Sequence, residues 1–267
     1  ACLMMKNVIV VGAAGGMGSS IASKLISENY NVFGIDISNN TDIDKLNYYQ
    51  CDITKEDQLI QVYNQISSEI DGLFAIVFAA GIYKMDSLLE ISDDEMKRIL
   101  DINVLSVQRI NRIFFNLLKE NSRIVIITSE LATLDPLPFN GIYTMSKSLL
   151  EKYAFSLRME VNNFGIKVVT IRPGAVKTKM IGQSTSSMDE FVQKTKIQKR
   201  ASTKFKKIVD SVESKTIEPV KIANLVNKIL AKRKPKYSYS KNRNFGLKIL
   251  NALPDRLQVK IISKIIK

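Results

Sequence analysis

Histidine is absent from the 267 residues. That absence removes Ser-His-Asp hydrolases, His-paired cysteine proteases and nearly all zinc enzymes, so acid/base chemistry must use Tyr, Lys, Asp, Glu or Cys. Cysteine is nearly absent too. Cys2 and Cys51 cannot form a disulfide framework or a thiolate metal cluster, and no metal is expected. No apolar run reaches 18 uncharged residues, which argues against a membrane-spanning helix. A 45% apolar composition with a mean hydropathy of −0.01 equally argues against disorder. Acidic residues are scarce at one end: residues 194–267 hold 21 of the 39 bases and only 4 of the 26 acids. A near-neutral body is thus followed by a basic C-terminal third, which fits a solvated helix face, an anionic partner or a membrane surface. Without interleaved aromatics or a nucleic-acid motif, nucleic acid is not expected as a partner.

There is no repeat, low-complexity segment or Pro/Gly/Ser linker to divide the chain, so a single domain over 5–267 is expected. Ala1 to Met4 precede a second methionine, Met5, and are left out of it. Short apolar runs at Val8–Val11, Asn31–Ile35, Leu73–Phe78, Arg123–Thr128 and Lys167–Ile171 read as buried strands. Helical periodicity fills the gaps at Ile21–Glu28, Lys55–Ile70, Asp93–Lys119 and Tyr143–Phe164. This alternation predicts an α/β fold, a parallel sheet with helices on both faces. Beyond Pro173-Gly174 the sequence loosens over 182–216 into a Ser/Thr/Lys-rich stretch; a helix near Glu218–Lys232, a last strand and a basic helical tail follow.

Gly12-Ala13-Ala14-Gly15-Gly16-Met17-Gly18 directly follows the first strand and leads into a helix. Glycines at such a turn let the backbone approach a pyrophosphate, whose charge the helix N-terminus meets. Eighteen residues past Gly18, Asp36 ends the next strand, where a carboxylate accepts ribose hydroxyls and repels a 2′-phosphate. No base lies between Val32 and Asn40, so NAD(H) is expected over NADP(H). Asp52, in Cys51-Asp52-Ile53, could meet the adenine or cap the next helix. Tyr143 and Lys147, four apart, share one helix face, where the ammonium favours the phenolate. A Tyr and a Lys at this spacing gain specificity beside Ser129, at a strand end, and Asn103, in the long helix before it.

In this order the glycines, Asn103, Thr128-Ser129, Tyr143-x-x-x-Lys147 and Pro173-Gly174 with Thr178 resemble the short-chain dehydrogenase/reductases over about residues 6–180. The resemblance implies a Rossmann-like doubly wound sheet that serves cofactor and substrate alike. It implies that Tyr143 is the general acid/base, that Lys147 binds the nicotinamide ribose and lowers the Tyr143 pKa, and that Ser129 holds the substrate oxygen. Asn103 would hold a water linking Lys147 to solvent. Pro173, Gly174, Val176 and Thr178 would line the nicotinamide pocket, and Gly12, Gly16, Met17, Gly18, Asp36, Asp52, Ile53, Ala80 and Gly81 the rest of the cofactor.

Two departures stand out. Phe78-Ala79-Ala80-Gly81 replaces the family's Asn-Asn-Ala-Gly, and the family's commonest interval back from Tyr143 lands on Glu130. Aligning the strand itself selects Ser129 and puts one extra residue in the Pro136/Pro138 loop, with Glu130 as the alternative. Met180, Ile181, Met188, Phe191 and Val192 are expected to cap the substrate site over about 179–216, facing Leu137, Pro138 and Phe139. The expected substrate is therefore an apolar alcohol or ketone of steroid, retinoid or long-chain type. A homodimer or homotetramer is expected through the long helices, and a cytoplasmic location, with the basic tail over about 236–267 as an alternative peripheral membrane contact. The rival readings are a non-catalytic NAD-binding regulator or scaffold, and an epimerase or dehydratase of the same superfamily.

Overall fold

Val8-Ile9-Val10-Val11 has no polar face, and the computed structural model shows why. Val8 and Val10 pack on one side of a sheet and Ile9 and Val11 on the other, all fully buried. The structure describes residues 5–213 and 215–267, without the side chains of 179–185 and 210–213. Cys2 and the side chains of Met180 and Ile181 therefore lie outside the described residues.

Seven parallel strands run in the order β3-β2-β1-β4-β5-β6-β7. They are β1 (Asn7–Val11), β2 (Asn31–Asp36), β3 (Asn47–Gln50), β4 (Leu73–Phe78), β5 (Leu118–Ile127), β6 (Lys167–Pro173) and β7 (Ser238–Lys241). On one face lie α1 (Gly16–Ser27) and α8 (Val220–Ala231), packed through Ile21, Leu25, Ile222 and Val226. The other face carries α2 (Glu56–Glu69), α4 (Ser106–Phe114) and α5 (Gly141–Glu160), seated by Leu59, Ile66, Ile110, Phe114 and Leu150. This is a doubly wound, Rossmann-like single domain, and its order reverses between β1 and β4, where such sheets open a crevice at their C-terminal ends.

The long helix expected over Asp93–Lys119 is instead three pieces. Ser92 caps α3 (Asp93–Leu100) by accepting from Glu95 N at 3.3 Å, a π-helical turn spans Asp101–Leu105, α4 follows, and Lys119 already belongs to β5. The wide turn carries Asn103, and such bulges gather at functional positions. Residues 182–216, expected to be irregular, are largely helical: α6 (Lys179–Lys194) and α7 (Lys199–Glu213). Their polar composition hides a narrow apolar face: among their described side chains Met188, Phe191, Phe205 and Val209 bury fully or nearly so, against Met85. After β7, α9 (Phe245–Asn251) and α10 (Asp255–Ile266) complete the chain.

Candidate active site

At the crevice the turn after β1 runs so close to β4 that side chains have no room. Gly12 has φ +85°, and a Cβ there would lie 2.6 Å from Ala80 N; a Cβ on Gly18 would collide with the Gly12 carbonyl oxygen. Gly15 begins α1 without a side-chain cap, so its first-turn amides point toward the groove. Asp36 fixes this loop to β2: its Oδ2 accepts from Ala14 N and its Oδ1 from Ser38 N, both at 3.0 Å. Gly12, Gly16, Met17, Asp36, Asp52, Ile53, Ala80, Gly81 and Thr178 line one continuous groove. Gly18, the exception, sits buried behind the turn it packs against. Asp52 neither caps α2 nor stands free, because its Oδ1 accepts from Thr54 N and Thr54 Oγ1 in a local turn.

The groove opens into an apolar pocket, with Met17, Ala79 and Thr178 lining both. Ser129, Tyr143 and Lys147 lie in this pocket with Pro173, Gly174 and Val176. The Ser129 hydroxyl stands beside the Tyr143 phenol. Burial pushes the Tyr143 phenol up to about 12, and the neighbouring Ser129 hydroxyl pulls it back only in part. Lys147, from the next turn of α5, holds its Nζ 5.8 Å from the Tyr143 ring centroid and donates to Ile127 O at 3.3 Å. Its burial lowers the ammonium to about 8. Glu130 lines the pocket too, close to Gly174, while its Oε2 accepts from Asn244 N at 2.6 Å. Burial raises its pKa, while Asn244 N and the Arg243 charge pull it down.

Asn103 stands beside the site with its amide fully engaged. Its Oδ1 accepts from Ile82 N at 2.8 Å, and its Nδ2 donates to Ile82 O and Ser146 Oγ, each at 3.0 Å. The side chain thus braces the loop after β4 against α5. Space is tight there as well, since a Cβ on Gly81 would lie 3.3 Å from both Asn103 Oδ1 and Lys147 Nζ.

Sequence reasoning missed several groups. Glu151, one turn beyond Lys147, accepts from Thr128 Oγ1 at 2.7 Å and from both Arg172 Nε and Nη2, tying α5 to the ends of β5 and β6. Burial favours its neutral form, but Arg172 and Thr128 hold its pKa below the usual carboxylate value. The spacing Tyr143, Lys147, Glu151 at i, i+4, i+8 was the available signal. The Tyr83 ring packs on Tyr143 at a tilt of 55°, with centroids 4.4 Å apart. Arg98 of α3 lines the groove that holds Asp36, a base that no local sequence window pairs with it. The outer pocket wall comes from Phe205, Ile208 and Val209 of α7 and from Leu247 of α9, facing Leu137. Met188 and Phe191, expected to line the site, are instead fully buried behind that wall with Val192 packed beside them, because Phe139 stacks on Phe191 at 4.8 Å.

The family model described as short chain dehydrogenase matches residues 6–189. Estradiol 17-beta-dehydrogenase 2 of Rattus norvegicus is 26% identical over 194 residues, covering 68% of this chain and 51% of that protein. The chain thus spans about half the length of some curated relatives it matches. The 3-ketodihydrosphingosine reductase of Bacteroides thetaiotaomicron is 24% identical over 240 residues, covering 86% of this chain and 85% of the relative. Among solved structures, an alcohol dehydrogenase of the archaeon Thermococcus sibiricus complexed with 5-hydroxy-NADP superposes with a TM-score of 0.69. It is 20% identical, over 89% of this chain and 96% of its own.

Proposed function

This chain belongs to the short-chain dehydrogenase family of oxidoreductases, and on that premise we propose that it interconverts a secondary alcohol and a ketone on an apolar substrate, with Tyr143 as general acid/base. The observation that carries the reading is the hydroxyl pair of Ser129 and Tyr143, beside a buried Lys147, where the apolar pocket meets the glycine-turn groove. The groove fits a dinucleotide: the tight turn that Gly12 and Gly18 permit brings the uncapped N-terminus of α1 to its wall, and Asp36 stands at the ribose end. A nicotinamide dinucleotide bound there supplies or accepts the hydride.

In the reductive direction Tyr143 gives its proton to the oxygen of the substrate, and in the oxidative direction it takes that proton back. Burial alone sets the phenol against ionising; the Lys147 ammonium and the Ser129 hydroxyl both favour the phenolate, so proton transfer runs in either direction. Ser129 also donates to the substrate oxygen and stabilises the charge that gathers on it. Asn103 keeps the loop under Lys147 in place.

For the cofactor we favour NAD(H): Asp36 faces the groove as a carboxylate that a 2′-phosphate would meet. Arg98 in the same groove is the feature that favours NADP(H), and the solved neighbour above carries an NADP derivative. For the substrate, the apolar walls and the similarity to a steroid dehydrogenase and a sphingoid-base reductase support a steroid or long-chain compound. Self-association fits the exposed Leu105, Met145, Leu149, Phe155 and Met159 of the π-turn and α5. The test is a screen of hydroxysteroids and of aliphatic and aromatic ketones, following reduced-cofactor absorbance with NADH and with NADPH. Turnover of apolar compounds with NADH supports the reading; a chain that binds NADH and turns over none of them contradicts it.

A further inference from the structure

The last 32 residues, 236–267, hold eight bases and one acid. They are nonetheless ordered against the body: β7 pairs with β6, and the helices beyond it are tied to the stretch just after Ser129. Asn244 N donates to Glu130, Asp135 N donates to Asn251 Oδ1 at 2.5 Å, and Gln258 Nε2 donates to Asp135 Oδ2 at 3.0 Å. Leu247 of α9 lines the pocket, and α10 is anchored beside it.

The two sides of α9 differ. Leu247 lines the pocket, whereas Phe245 and Ile249, each about 200° around the helix from it, are 73% and 52% exposed. On α10 the buried Gln258 marks the inner side. The opposite side carries Arg256, Lys260, Lys264 and Lys267, spaced to share one face, with Leu257 and Val259 flanking them at 42% and 65% exposure. None of the ion pairs among the described residues involves a base of 236–267. A fixed surface that combines unpaired cations with large exposed apolar side chains is matched by a layer with anionic headgroups above hydrocarbon.

We propose that the outer face of α9 and α10 docks on an anionic lipid bilayer, placing the pocket wall formed by Leu247 on the far side of the same short helix from the lipid. Charge selects this occupant. A second copy would set bases against bases across a two-fold contact. A nucleic acid would satisfy the cations and leave Ile249, Leu257 and Val259 in water. The docking gives a lipophilic substrate a short route from the membrane; in that purpose it rests on the apolar-substrate reading, but binding itself is measured without turnover.

The experiment is sedimentation of the full chain with phosphatidylcholine vesicles, with and without phosphatidylserine, at low and high salt. Binding that requires phosphatidylserine, weakens with salt, and falls at least about tenfold in a Lys260→Glu/Lys264→Glu variant is expected. A Phe245→Ser/Ile249→Ser variant, which keeps every charge, should also bind more weakly. Both variants should keep the wild-type circular dichroism and NADH affinity. Three results would overturn the proposal: no preference for the anionic vesicles, charge reversal without effect, or tighter binding to an RNA oligomer than to the vesicles at equal salt. A change of oligomeric state caused by the charge reversal would overturn it in favour of a second copy. Failure of the apolar-substrate screen with vesicle binding intact would sink the enzymatic reading alone.

Discussion

Lys147 is an ammonium 3% exposed, with one backbone acceptor at 3.3 Å and, among the described residues, no ion pair. Its pKa falls from 10.5 to about 8, so holding the charge inside the fold costs about 3 kcal/mol, at 1.36 kcal/mol per unit. Lys147→Met keeps the length of the side chain and removes the charge. The cofactor-free variant should therefore be more stable than the wild type at neutral pH. The pH dependence separates this from simple packing. Below about 8 the folded wild type carries the cation at a cost. Between about 8 and 10.5 the folded lysine is neutral while the unfolded one still holds its proton, so wild-type stability rises with pH in that window. Tyr143 acts in the opposite sense at higher pH: raised from 10.0 to about 12, it holds its proton longer when folded, and that contribution is lost across the interval between them. The comparison is therefore read from neutral pH to about pH 10, over which the gap between variant and wild type should shrink by roughly 2 to 3 kcal/mol. Urea unfolding followed by circular dichroism measures it. A gap that stays constant with pH, or a variant less stable at neutral pH, would refute the reasoning. Turnover should be lost in the same variant, since the destabilising charge is the one that favours the phenolate.

Tyr143→Phe should lower turnover at least about a thousandfold with NADH affinity nearly unchanged, because only the proton-carrying hydroxyl is removed; near-normal rates would show that the phenol is not the acid. Ser129→Ala should cost about a hundredfold in kcat. Glu130→Ala should leave kcat close to wild type and raise KM for apolar substrates by freeing Asn244 from its acceptor; steady-state kinetics showing the reverse ranking would move the serine's role to Glu130. Fluorescence titration should give NADH at least about a tenfold, or 1.4 kcal/mol, tighter grip than NADPH, narrowed by Asp36→Ala; equal affinities would assign the decisive role to Arg98.

Strands were legible because parallel strands buried on both faces leave continuous apolar runs, and Leu73–Phe78 begins and ends where its run does. The glycine turn, Asp36, Tyr143 and Lys147 were legible for a different reason: their spacing along the chain is short, and one helix or one strand end carries each group. What stayed hidden depended on distant contacts. The break at Asn103 cannot be read from periodicity, because its cause is a pair of hydrogen bonds to Ile82, 21 residues away. Helices α6 and α7 offer few apolar positions among their described side chains, and these cohere with Met85, Tyr83, Leu137, Phe139 and Ile266 from distant parts of the chain. The setting of Glu130 and the place of Arg98 were hidden for the same reason: the partner of one is 114 residues distant, and the groove of the other is assembled from the ends of several strands.

The origin of the outer pocket wall has an evolutionary reading. Phe205, Ile208, Val209 and Leu247 all lie beyond the segment 6–189 that matches the family, whereas Ser129, Tyr143 and Lys147 lie within it. The reactive side chains and the outer wall thus lie on separate lengths of polypeptide, joined through the β6–β7 pairing, the packing of α1 on α8 and the ties at Glu130 and Asp135. Drift in the last third of the chain can retune which molecules enter while the proton-handling residues stay untouched, so a graft of residues 199–267 from a sister protein should carry its preferences with it.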